Sequence, residues 1–213
     1  MDRKTLILGG FGAACWGGAY ILMIWHGFAE QTYAVPFISI CANLSWEFIF
    51  GFVRPLENRA QRAINIIWFM MDVLIAAAYL MYGAQEFTTL LPAAFFLPSF
   101  LLTTGICLAL IYTSISEFGD TNGRYSAFII DALMAMLFNA LLLWRGSIQG
   151  QSLYIAVLKL VGSSAYGAVF YRFYPRSRFL LVLFVLSFAF NLVYVVLYWW
   201  LATASGVDPL LRF

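Results

Sequence analysis

Seven long apolar runs follow one another along the chain, and short loops carrying most of the charged residues separate them. A helix needs about 20 apolar residues to cross the hydrocarbon core of a bilayer. The pattern therefore predicts an all-α polytopic membrane protein, a bundle of seven transmembrane helices that forms one domain over residues 1–213. The predicted spans are residues 5–25, 33–53, 63–82, 91–115, 125–144, 153–173 and 179–203.

Composition agrees with this pattern. Of the 213 residues, 63% are hydrophobic and 10% are charged, whereas soluble domains carry about 25% charged residues. The spans leave no room for a soluble domain, and a net charge of +2 gives no reason to expect a nucleic-acid partner. The first run is longer than the ~7–15 apolar residues of a signal peptide, so we interpret it as a span.

Prolines and small residues modify two of the predicted helices. Pro92 and Pro98 predict that the fourth helix begins late or is kinked, because proline interrupts helical hydrogen bonding. Small residues on one face of the first span predict close helix packing there. These small residues are Gly9, Gly12, Ala13, Gly17 and Gly18.

Basic residues lie mostly in the loops on one side of the predicted bundle. Because Lys and Arg are enriched on the cytoplasmic side, this bias predicts a cytoplasmic N-terminus and a non-cytoplasmic C-terminus. The basic residues on the first side are Arg3, Lys4, Arg54, Arg59, Arg62, Arg124, Arg172, Arg176 and Arg178, and those on the other are Arg145 and Arg212.

Four ionisable residues lie inside the spans: Glu47, Asp72, Asp131 and Lys159. Such residues are costly in a membrane and are functional candidates, although a structural ion pair or interhelical hydrogen bond is an open alternative for each. At about 1.5 Å per residue, Glu47 and Asp131 lie roughly 10 Å from the cytoplasmic edge, and Asp72 and Asn191 lie about a turn deeper. Lys159 lies toward the far side, and we predict that it pairs with Asp72.

Helical phase places polar and aromatic residues on three stripes. Trp46, Trp68 and Phe188 lie too deep for an interfacial aromatic belt. The sequence therefore predicts one cytoplasmic-half layer where acids, amides and aromatic rings meet. The stripes are Asn43, Glu47 and Arg54; Asn65, Trp68, Asp72 and Tyr79; and Phe184, Ser187, Asn191, Tyr194 and Tyr198.

This layer suits acid-initiated carbocation chemistry. Burial disfavours the charged form of a carboxyl group, so Glu47 is expected to hold a proton and to donate it to an epoxide or an alkene. Aromatic faces attract the cation that results. We predict Glu47, Asp72 and Asp131 as catalytic candidates, with no metal and no cofactor. The predicted substrate-binding residues are Asn43, Trp46, Trp68, Phe188, Asn191 and Tyr194.

The stretch "NLSWEFIFGFVRP" at residues 43–55 resembles the motif around the essential Glu of the small membrane-embedded terpene cyclases. These enzymes act in fungal meroterpenoid and indole-diterpene pathways and have bacterial relatives. "WFMMDVLIA", "LKLVGSS" and the seven spans are similar too, and the chain has no DDxxD or DxDD sequence. The resemblance implies metal-independent cyclisation of a prenylated aromatic or other isoprenoid substrate in the bilayer, started by a proton.

Carried over by position, Glu47 matches the catalytic Glu of that family, whereas its second acid, in the last span, falls at Asn191. An amide cannot deliver a proton. Either Asn191 orients a second acid or a substrate oxygen, or Asp72 or Asp131 has taken that role. Opening of a terminal epoxide and direct protonation of an alkene both stay open.

Two other functions remain as alternatives. "SWEFIFGFVRP" (45–55) and "SAYGAVFYRFYP" (164–175) end the second and sixth spans alike. Two parallel repeats of three helices around a linking fourth helix would give this similarity, and such an arrangement is found in small transporters of organic solutes. A proton or ion channel with the acids as a relay is the third interpretation. The apolar, aromatic character of the inner residues favours the enzyme over both.

Overall fold

The structure is a computed structural model that describes residues 3–212, and its elements are helices joined by short loops. Six helices are long and apolar enough to cross a membrane, and a shorter apolar helix spans Phe37–Val53. The chain is thus an all-α, multi-pass membrane protein, as predicted. The helices are α1 (Arg3–Ala29), α2 (Phe37–Phe48), a π-helical segment (Ile49–Val53), α3 (Arg59–Tyr82), α4 (Ala84–Phe87), a 3₁₀ turn (Ala93–Phe95), α5 (Phe96–Glu117), α6 (Arg124–Arg145), α7 (Leu153–Phe173) and α8 (Arg178–Ala204).

Prolines set the start of two helices. The second helix begins at Phe37, later than predicted, because Pro36 is its extended N-cap and disfavours helical geometry in the residue before it. The fourth predicted helix begins late, as expected: Pro92 precedes the 3₁₀ turn, and Pro98 lies in the first turn of α5. The short helix α4 was not predicted.

The chain divides into two compact units. One, called here the α2–α5 unit, comprises residues from Met23 to Ile130. The other, called the α6–α8 unit, comprises residues up to Leu22 and those from Asp131 onward. The prediction of a single transmembrane domain stays a prediction.

Small residues pack the first part of α1 against α7 in the α6–α8 unit. A Cβ atom on Gly12 would lie 3.2 Å from the ring of Tyr166, and one on Gly162 would lie 2.7 Å from the indole of Trp16. The predicted small face of α1 is therefore in contact at Gly12. At Gly9 and Gly17, by contrast, no described atom lies within 4 Å of the Cβ position.

Helix α2 packs against both α3 and α5 in the α2–α5 unit. Its apolar side contributes Ala42, Ile49 and Phe50 to a buried cluster with Ile111 of α5. The hydroxyl of Ser45 donates 2.7 Å to the carbonyl of Cys41 in its own helix and lies 3.3 Å from that of Thr104 in α5. These contacts fix the rotation of α2 about its axis, and so the direction in which Glu47 projects.

Candidate active site

Glu47 lies in the last turn of α2, and its side chain is only 3% exposed. Asn43 lies one turn earlier on the same face and is half-buried. A carboxyl group that is buried in an apolar helix is costly in its charged form. The burial of Glu47 agrees with the predicted proton donor, and that role stays a prediction.

The helix changes type two residues after Glu47. Over Ile49–Val53 it is π-helical, and the amide of Arg54 donates 2.7 Å to the carbonyl of Ile49. The guanidinium of Arg62 on α3 donates from Nε to the carbonyl of Gly51 at 3.0 Å. Single π-helical turns occur frequently at functional sites. Only Gly51 and Pro55 hinted at this irregularity in the sequence, and neither specifies an i→i+5 hydrogen bond.

A hydrogen-bond chain holds the indole of Trp46. Its Nε1 donates to Oγ of Ser126 at 3.0 Å, and that hydroxyl donates to Asp120 at 2.7 Å. The ring also packs on Phe50 with a centroid distance of 4.8 Å. The rotamer of Trp46, next to Glu47, is thus set by α6 as well as by its own helix.

Asp120 is a buried acid that our sequence reasoning missed. It is fully buried in the loop before α6 and accepts hydrogen bonds from the amides of Tyr125 (3.0 Å) and Ser126 (2.9 Å). It thereby satisfies free N–H groups in the first turn of α6. A loop aspartate followed by "TNGR" suggested a turn, but nothing in the sequence pointed to its burial.

The polar stripe of α3 is buried, as predicted. Asn65, Asp72 and Tyr79 are 0%, 1% and 3% exposed, whereas Trp68 is half-buried. The amide oxygen of Asn65 accepts a hydrogen bond from Gln61 at 2.9 Å. Asp72 is thus, with Glu47 and Asp120, one of three acids buried within the described part of the α2–α5 unit.

Asp131 lies on α6 and is hydrogen-bonded by two helices of the α6–α8 unit. Ser163 of α7 donates to Oδ1 at 2.7 Å, and Ser187 of α8 donates to Oδ2 at 2.5 Å. Asn191, fully buried, donates from Nδ2 to the carbonyl (3.0 Å) and hydroxyl (3.2 Å) of Ser187. Asp131 and Asn191, two predicted site residues, are therefore linked through Ser187. The sequence had indicated Ser187 only as a member of the polar stripe on α8.

Lys159 is fully buried on α7, and among residues 3–212 its Nζ makes no hydrogen bond. The ammonium group lies 4.3 Å from the ring centroid of Phe138 and 4.6 Å from that of Trp16. Asp131 of α6 belongs to the same unit, but within the described residues of that unit no ion pair joins the two side chains. The predicted pairing of Lys159 with Asp72 stays a prediction.

The two remaining candidates on α8 differ in their surroundings. Tyr194 is fully buried, donates a hydrogen bond to Gln151 and meets the ring of Phe138 edge-on at 5.2 Å. Phe188 is 51% exposed and lines a cavity between α7 and α8. Tyr194 is thus part of the interior of the unit, and Phe188 is part of its outer side.

The predicted site residues fall into two groups. Those in the α2–α5 unit are Asn43, Trp46, Glu47, Trp68 and Asp72, and those in the α6–α8 unit are Asp131, Phe188, Asn191 and Tyr194. Their convergence on one layer stays a prediction. Within residues 3–212, no three His, Cys, Asp or Glu side chains are grouped as a metal site would need.

Comparisons of the sequence with protein-family models and with known proteins agree on one family. Residues 5–204 match the model of the Pyr4-like transmembrane terpene cyclases. Terpene cyclase andB of Emericella variicolor is 27% identical over 165 residues, which cover 76% of this chain and 70% of andB. Terpene cyclase pyr4 of Aspergillus fumigatus is 24% identical over 70% of this chain and 62% of its own length.

A third relative matches a shorter stretch of this chain at a higher sequence identity. The Pyr4-family terpene cyclase mfmH of Annulohypoxylon moriforme is 36% identical over 72 residues, which cover 34% of this chain and 29% of mfmH. The matches thus span less than two thirds of the length of pyr4 and of mfmH. No solved structure gives a significant match. Since the family model covers nearly all of α1 to α8, the chain belongs to the Pyr4-like transmembrane terpene cyclases.

Proposed function

We propose that this chain is a membrane-bound terpene cyclase that converts a prenylated substrate, meroterpenoid or indole-type, into a cyclic isomer without a metal ion. The observation that carries the proposal is Glu47, a carboxylic acid that is 3% exposed within an apolar helix. Membership of the family supports the reaction class, and relatives such as andB are named terpene cyclases.

Glu47 acts as the general acid. Its proton goes to the oxygen of a terminal epoxide, whose C–O bond breaks, or to one carbon of an alkene, whose π electrons form the new C–H bond. Either step leaves a carbocation, which the next double bond attacks to close a ring. Loss of a proton from carbon ends the sequence, so substrate and product have the same composition. Asn43, one turn from Glu47, orients its carboxyl group.

Aromatic rings stabilise the cation as it moves along the chain. An aromatic face contributes about 0.5–2 kcal/mol when it is shielded from water. Trp46, Trp68, Phe188 and Tyr194 are the candidates. The hydrogen bond from Trp46 to Ser126 supports this role, because it holds in a single orientation the ring of the residue that precedes Glu47 in the sequence.

Asp131 is the better candidate for the second acid, and Asp72 is the other. At the position of Asn191 the chain has an amide in place of an acid, and Asn191 donates to Ser187, which in turn donates to Asp131. Asn191 thus contributes by orienting Ser187. The basic loops support a cytoplasmic N-terminus and a non-cytoplasmic C-terminus.

The proposal is tested by incubating membranes that contain the protein with a farnesylated aromatic, with and without a terminal epoxide. We expect a product of unchanged mass whose NMR spectrum shows fewer alkene protons and new ring carbons. Membranes from cells without the gene serve as the control. Recovery of every such substrate unchanged, from membranes in which the folded protein is detected, would contradict the proposal.

A further inference from the structure

A cavity of ≈ 360 Å³ lies between α7 and α8 in the α6–α8 unit. Apolar side chains form most of its wall, among them Leu181, Phe184 and Phe188. Ser163 and Ser187 also line it, and they are only 6% and 2% exposed. Small-molecule sites are typically apolar cavities of about 300–1,000 Å³ with a few placed polar groups. The cavity has this character.

The hydrogen bonds at its polar end have a defined direction. The carbonyl of Ser187 can only accept, so the amide of Asn191 must present Nδ2 to it, and this Nδ2 also donates to the hydroxyl of Ser187. That hydroxyl then donates its own proton to Asp131. Ser163 makes one described hydrogen bond, to the other oxygen of Asp131. Because that bond uses the one proton of Ser163, its hydroxyl can still accept a hydrogen bond from a ligand that carries a hydroxyl, whereas an epoxide oxygen would find no donor there.

The depth of Ser163 selects among ligands. It lies ten residues from either end of α7, which is about 15 Å, or half of the ~30 Å hydrocarbon core. The head group of a phospholipid stays at the membrane surface, so only its methylene groups reach this depth. A hydrocarbon chain that carries an oxygen at its inner end matches both the wall and the serine.

The cavity also opens on the side where lipid contacts the protein. Val185 and Phe188 on its rim are 58% and 51% exposed, and both belong to a membrane-spanning helix. A ligand dissolved in the bilayer can therefore enter sideways. Gly167 also lines the cavity, and a Cβ atom there would lie 3.5 Å from the ring of Phe184.

The geometry points to the α7–α8 cavity as a binding site for an isoprenoid chain that carries a hydroxyl group at its buried end. Ser163 accepts the hydrogen bond of that hydroxyl while it donates its own proton to Asp131, and Phe184 and Phe188 contact the hydrocarbon. The isoprenoid class rests on the proposed function. The oxygen at the buried end follows from the depth of Ser163.

Photolabelling in phospholipid nanodiscs tests the site. The probes are a diazirine-bearing farnesyl alcohol and the matching hydrocarbon without oxygen, used on the Glu47→Gln protein so that no probe is turned over. Peptides of α7 and α8 should carry the label of the alcohol. We expect the alcohol to label them about threefold to tenfold more than the hydrocarbon, the range of one hydrogen bond, and Ser163→Ala to abolish this preference.

Two exposed positions on α7 give matched variants. Ala168 lines the cavity and Val157 does not, so Ala168→Trp should lower labelling at least tenfold, whereas Val157→Trp should leave it unchanged. Equal labelling by both probes in wild type and Ser163→Ala, or loss of label to added phospholipid, would show a lipid groove and overturn the proposal. Failure of every substrate to cyclise while the preference for the alcohol probe persists would instead contradict the proposed function alone.

Discussion

Replacing Lys159 by Met should destabilise the protein, and replacing Asp131 by Asn in the same chain should restore much of the loss. Lys159 is fully buried, and its ammonium group lies over the rings of Phe138 and Trp16 at 4.3 and 4.6 Å. Neither aromatic ring compensates a full charge. Asp131, half-buried on α6 of the same unit, is the opposite charge that we predict compensates Lys159.

The expected loss of stability depends on which of the two charges remains without its partner. Removing one member of a buried ion pair costs about 3–5 kcal/mol, mostly because the other charge is left uncompensated. The lost cation–π contacts add about 0.5–2 kcal/mol each, and the thioether of Met, packed on the same rings, offsets part of this. We expect about 3–5 kcal/mol for Lys159→Met and a coupling energy of at least about 2 kcal/mol with Asp131→Asn.

Unfolding in mixed detergent micelles, followed by tryptophan fluorescence, measures these free energies for the single and double variants. Lys159→Met with Asp72→Asn tests the pairing that the sequence predicts. If Asp131 is the partner instead, the effects of these two changes should add within about 0.5 kcal/mol. If the Asp72 variant restores stability and the Asp131 variant does not, Asp72 is the partner and our reasoning is wrong.

Three further predictions concern packing, product and topology. Gly123→Ala should lower the free energy of unfolding by about 1–3 kcal/mol more than Gly119→Ala, as measured by thermal unfolding. Both glycines have a positive φ, but only at Gly123 would a Cβ atom meet Trp46 and Phe50, at 2.8 and 2.9 Å. Equal losses of stability in the two variants would contradict this prediction. Trp68→Leu should slow turnover or release partly cyclised products, and an unchanged rate and product spectrum would remove Trp68 from the site. Reporter fusions at the two termini should report opposite sides of the membrane, with the N-terminus cytoplasmic, and the same side for both would be inconsistent with seven spans.

Helix positions were the most predictable part of the fold. The predicted bounds of α6, α7 and α8 lie within one residue of the observed ones, because each apolar run ends at polar residues. Two of these helices also begin at a serine whose side chain accepts a helix amide, Ser152 before α7 and Ser177 before α8. Helical phase correctly placed Ser187, Asn191 and Tyr194 on the buried face of α8.

Contacts between helices were not predictable, because phase within one helix does not say which neighbour it faces. The hydrogen bonds from Ser163 and Ser187 to Asp131 join three helices. The burial of Asp120 likewise depends on the first turn of α6 folding back over it. The π-helical segment after Glu47 involves Arg62 of α3, which donates to a carbonyl inside it.

The most direct test of the account is the rate of product formation by purified Glu47→Gln and Glu47→Asp in nanodiscs. Gln keeps the size and hydrogen bonding of Glu47 but cannot donate a proton. We predict that Glu47→Gln folds, binds the substrate and loses at least about 10²–10⁴-fold in rate, whereas Glu47→Asp keeps part of the activity. Cyclisation by Glu47→Gln at close to the wild-type rate would contradict the role of Glu47 as general acid and would place the acid at Asp72 or Asp131.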